Sequence, residues 1–124
     1  MTTQEYKSFV SKLEQQGYKE YPPHDTADKA FYKSFGKGNN KYDEDRSNYQ
    51  VCYSLWDFSP YKDRDSNIAK NPYSFSVTIL VSRVIDERLD LEVGGYCIDI
   101  TNIDEVETFA ENFFKWVDSN VKIE

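Results

Sequence analysis

Apolar positions recur at helical spacing near both ends of this chain and alternate with polar ones in between. At the start, Tyr6, Phe9, Val10 and Leu13 follow one another at i, i+3, i+4 and i+7, the stripe of an amphipathic helix. Thr2 and Glu5 have capping-box spacing ahead of it, and Gly17 supplies a left-handed stop. The segment YKEYPPH that follows is extended, because Pro22 and Pro23 donate no hydrogen bond and push their predecessors toward β or polyproline geometry.

Four strands are predicted next. The first covers Ala30 to Phe35, and its facing is ambiguous because Phe31 and Phe35 share a parity with Lys33. The second alternates cleanly, with Tyr49, Val51, Tyr53 and Leu55 on one side and Gln50, Cys52, Ser54 and Trp56 on the other. The third is the clearest, with Tyr73, Phe75, Val77, Ile79 and Val81 alternating with small polar residues. After a tight turn at IDERL, the fourth places Leu89, Leu91 and Val93 inward and Asp90 and Glu92 outward. Gly94 and Gly95 then suggest a bulge before YCIDI continues it. Two polar stretches, 36–48 and 59–72, read as long connections.

The last element is a helix capped by Thr101 or Asn102, with Asp104, Glu105 and Glu107 in its first turns, where the macrodipole favours anions. Val106, Phe109, Ala110, Phe113 and Val117 form its buried stripe, with Ile103 near its start and Trp116 on its flank. The expectation is one α+β domain over residues 1–124: a four-stranded antiparallel meander with the N-terminal and C-terminal helices packed on one face.

Composition adds bounds rather than a function. A chain of 124 residues can bury a core without a metal or disulfide staple. Cys52 and Cys97 fall on strands two spacings apart, about 10 Å, which is too far for a bridge, so both read as reduced structural thiols. The N-terminus shows helix periodicity rather than a basic segment followed by an apolar run, and no run of membrane-spanning length follows. A cytoplasmic protein is the expectation.

Candidate chemistry is thin. His24 is the only histidine and lies beside two prolines, and no serine stands in a nucleophile elbow. Asp63, Asp65 and Asn67 match the first three ligand positions of a calcium loop, but Ile68 and Ser74 stand where the turn glycine and bidentate glutamate belong. Asp43, Glu44 and Asp45 read as a plain acidic hairpin tip. Asp90 and Glu92 share a strand face, as nuclease carboxylates do, yet the lysine that commonly follows is replaced by Gly94. No catalytic residue, metal site or cofactor is assigned. The order of elements resembles that of double-stranded RNA-binding domains, but the stretch NIDEVETFAEN stands where their basic helix start meets phosphate.

Charge is the best lead. Residues 1–85 hold 11 acids against 12 bases, whereas residues 86–124 hold 11 against 3. A concentrated acidic face steers association with basic surfaces. The sequence therefore reads as a small, acidic, non-enzymatic protein-binding module of inhibitor or immunity type, docking on a basic nucleic-acid-processing partner. Its candidate contact residues are Asp90, Glu92, Asp104, Glu105, Glu107 and Glu111, with Trp56, Phe58 and Tyr61 as aromatic anchors. The alternatives are a single-stranded nucleic-acid binder stacking bases on those rings, and a metal-dependent enzyme built on Asp90 and Glu92.

Overall fold

A computed structural model describes residues 1–23, 26–40, 43–81, 89–92 and 101–120, with 36–40, 43–48 and 89–92 described in backbone only. Helix α1 spans Thr3–Gln15. Both halves of its capping box form: the Glu5 N–H donates to Thr2 Oγ1 and the Thr2 N–H to Glu5 Oε1, each at 3.2 Å. Hydrogen bonds from Thr2 hold the Glu5 carboxyl below the usual carboxylate range. At the other end Gly17 adopts φ +94°, so the Gly17 N–H reaches the Glu14 carbonyl and the Tyr18 N–H the Leu13 carbonyl. This paired closure ends the helix and turns Tyr18 onto Leu13 in the core.

The sheet is an antiparallel meander in the order β1-β2-β3-β4-β5. Its strands are β1 (Lys19–Tyr21), β2 (Lys29–Asn40), β3 (Asp43–Asp57), β4 (Tyr73–Val81) and β5 (Leu89–Glu92). The expected meander of four strands is present, and the extended YKEY segment adds β1 as a short edge strand against Ala30–Tyr32. Three residues with one ring among them carry no alternation to read, and Pro22 ends the strand at once. The first connection is shorter than expected, because β2 continues to Asn40 and β3 begins at Asp43. The register slips between Phe35 and Asn40, which accommodates glycines and asparagines with little strand preference.

Both helices cover one face of the sheet. Phe9 and Leu13 of α1, and Ile103, Val106, Ala110, Phe114 and Val117 of helix α3 (Ile103–Asn120), share one core with Phe31, Tyr49, Val51, Tyr53, Val77, Ile79 and Val81. Rings lock α1 in place: Tyr6 stacks on Tyr73 at 4.2 Å, and Phe9 meets Tyr53 and Phe75 edge-on. The α3 stripe differs by one position from the expected one. Phe114 is buried and stacked on Tyr49 at 4.7 Å, while Phe113 and Phe109 are only partly buried at its edge. Two adjacent phenylalanines leave the choice to the docking angle of the helix.

On the reverse face, Ala30, Tyr32 and Cys52 form a second, smaller cluster with Tyr21 and Leu80 at its margin. The central strand β3 is thus buried on both sides, Gln50 and Ser54 included. The 59–72 connection also has structure. A 3-10 turn covers Ser59–Tyr61 and a short helix α2 covers Ser66–Lys70. The IDERL turn, Gly94, Gly95, YCIDI, Cys97 and His24 lie outside the described residues. Among the described residues no helix is long and apolar enough to cross a membrane.

Candidate functional site

Helix α3 carries most of the carboxylates singled out above, and its local geometry sorts them. Asn102, not Thr101, is the cap: its Oδ1 accepts from the Glu105 N–H at 3.2 Å, and its carbonyl from the Val106 N–H. With the apolar stripe pinned on the sheet, the remaining positions fall on two flanks and an outer face.

Glu107 lies on the inner flank and is engaged. Its Oε1 accepts from Lys33 Nζ at 2.8 Å and from the Tyr18 hydroxyl at 3.1 Å. The carboxylate is 16% exposed and the lysine 28%, so this ion pair is largely shielded from solvent. Lys33 also sits over the Phe35 ring at 5.2 Å and the Tyr18 ring at 5.7 Å. The parity conflict in β2 is thereby resolved: Lys33 shares the core face because a carboxylate and two rings receive it there. Burial, followed by the nearby Glu107 charge, pushes the Tyr18 phenol well above its usual range. Further along the same flank, the Tyr49 hydroxyl donates to Asp118 Oδ1. Burial first and this bond second raise the Tyr49 phenol as well.

The outer face is different. Asp104, Glu105 and Glu111 are exposed, and none takes part in an ion pair among the described residues. Lys115 is the only base on the helix. Beside these carboxylates runs an open groove of about 600 Å³ lined by Asn102, Asp104, Glu105, Thr108, Phe109 and Asn112. Of the large hydrophobic residues described, Trp116 is the most exposed, at 54%, and its indole lies nearly parallel to the Phe113 ring.

The aromatic trio lies at and just after the end of β3. Phe58 and Tyr61 are 39% and 46% exposed in the 3-10 turn region after β3. Trp56 is half-buried with its Nε1 donating toward Thr26, and the Arg64 guanidinium covers Tyr61 at 5.1 Å. These rings sit at the Asp57–Tyr73 end of the β3–β4 pair, while Phe114 and Asp118 anchor the far part of α3 at the Tyr49–Val81 end. The start of α3 lies nearer the first of these ends, since Thr101 shares a groove with Met1, whose ammonium donates to the Tyr73 carbonyl at 2.7 Å. Trp56, Phe58 and Tyr61 share no hydrogen bond or ring contact with the α3 acids among the described residues.

No protein-family model, characterised protein or solved structure matches the chain. Among the described residues no group of three or more His, Cys, Asp or Glu side chains could hold a metal. In the DRDSN motif, Asp65 is the α2 cap, accepting from the Asn67 N–H at 2.7 Å. Asp90 and Glu92 are placed by register only, opposite Leu80 and Thr78. What sequence reading missed was Lys33 and Tyr18 as receivers of Glu107, and Trp116 as an exposed ring. A signal for the second was present: Glu105, Phe109, Asn112 and Trp116 recur at i, i+4, i+7 and i+11, one straight line along a helix.

Proposed function

We propose that the protein is a small, acidic, non-enzymatic binding module whose α3 outer face docks on a basic surface of another protein, in the manner of an inhibitor or immunity protein facing a nucleic-acid-processing partner. The observation that carries this reading is the division of the α3 carboxylates. Glu107 is consumed by Lys33 and Tyr18, whereas Asp104, Glu105 and Glu111 are exposed and in no ion pair among the described residues, although Lys115 lies one turn beyond Glu111. Helix-dipole compensation accounts for acids in the first turn but not for Glu111, two turns in. A net excess of carboxylates on one face raises the association rate with a basic partner and makes it salt-dependent. Structural duty falls to Glu107, so the docking set is Asp104, Glu105 and Glu111.

The test is kinetic. A D104K/E105K/E111K variant that keeps its fold by circular dichroism should associate with the partner at least tenfold more slowly than the wild type. Its rate should also have lost most of its dependence on ionic strength. Unchanged rate and unchanged salt dependence would overturn the reading.

A further inference from the structure

Resting on the docking role of α3, we infer that the anchor of that surface is Trp116 and that the occupant is an arginine-bearing segment of the partner, rather than a basic surface of any kind. Glu105, Phe109, Asn112 and Trp116 form one line along the helix. From Glu105 to Trp116 is eleven residues, about 16 Å along the axis. The first part of this line borders the open groove, whose lining includes Asp104, Glu105 and Phe109. Its far end is the indole, which lies at 13° to the Phe113 ring and leaves more than half its surface in solvent.

An exposed tryptophan presents a flat, electron-rich face, the best acceptor for a cation stacked on a π-system. Guanidinium matches that face better than ammonium because it is planar and weakly hydrated, and it also pairs side-on with carboxylates. Exposed Trp with acids a few turns away thus selects arginine twice, by stacking at Trp116 and by a forked pair at Asp104 or Glu105. Tryptophan and arginine are also the residue types most enriched among interface anchors. Lys115, one position from Trp116, is the only base on the helix, so nothing on α3 outweighs the carboxylates along this line.

The test uses oligoarginine and oligolysine peptides of equal length, titrated against the full chain carrying W56F so that fluorescence reports Trp116 alone. Oligoarginine should change the Trp116 emission saturably and bind roughly two- to fivefold more tightly than oligolysine. Adding W116A should erase that preference, read by calorimetry, while leaving weak salt-sensitive binding. D104N/E105Q/E111Q should abolish both, and neutralising Glu14 and Asp63 instead should change neither. If both peptides bind equally and W116A is silent while the carboxylate variant abolishes binding, the arginine anchor is overturned and the acidic docking role stands. If neither peptide binds at low salt, both are overturned.

Discussion

Lys33 and Glu107 are 74 positions apart in the chain and 2.8 Å apart in space. The pair ties α3 to β2, and the Tyr18 hydroxyl on the same carboxylate oxygen ties in the segment just after α1. Three parts of the chain with no neighbourhood in sequence are thereby held at one atom.

Removing both members should cost less than the two single losses added together. Glu107→Gln or Lys33→Met alone leaves a shielded charge without its partner and should destabilise the fold by about 1–3 kcal/mol. The double variant should cost clearly less than the sum. Urea unfolding of the four proteins measures this, and strictly additive losses would show that the contact carries no coupling energy.

The two raised phenols predict alkaline sensitivity. Unfolded tyrosine ionises near pH 10. Tyr18 and Tyr49 stay protonated in the fold above that value, mainly through burial and then through Glu107 and Asp118 respectively. Their stabilising contribution is complete below pH 10, and stability falls as the pH rises past it. For Tyr18 the slope is about 1.4 kcal/mol per pH unit. Melting temperatures from pH 8 to 11 should drop along this slope, and Tyr18→Phe should flatten it.

Core and surface aromatics of α3 should separate sharply. Phe114, 5% exposed and stacked on Tyr49, should cost about 3–5 kcal/mol as Phe114→Ala. Trp116→Ala should stay within about 1 kcal/mol of wild type, since its indole is mostly in solvent. Equal losses would mean that the helix docks one position away from where the structure places it.

Gln50 offers a stabilising change. It is 6% exposed, and its Nε2 has no hydrogen-bond acceptor among the described residues. A buried donor left unsatisfied costs about 1–3 kcal/mol, so Gln50→Met, similar in length and without the amide, should raise the urea midpoint. A loss of stability would show that the amide has a hydrogen-bond role.

How much of this was readable in the sequence follows from periodicity. α1, β3 and β4 are strongly patterned, and their caps and facing follow from residues such as Thr2, Glu5, Gly17 and the Tyr73–Val81 alternation. β1 was read only as extended because an edge strand of three residues needs no hydrophobic side. The facing of β2 could not be decided locally, since Lys33 becomes tolerable on the core side only once Glu107, far along the chain, is in place. The same long-range contact hid the sorting of the acids: in sequence Glu107 resembles its neighbours, and only docking of α3 separates it from Asp104, Glu105 and Glu111. The expected union of those acids with Trp56, Phe58 and Tyr61 could not be tested by spacing, because it depends on which end of the sheet each group occupies.

The most direct test of the docking role is affinity capture from the native host's lysate at low and high salt, with wild type and D104K/E105K/E111K run side by side. A basic protein retained by wild type, released by salt and absent from the variant is the predicted result. The same proteins on both baits, or none that responds to salt, would contradict it and leave the outer face of α3 as a solvated surface.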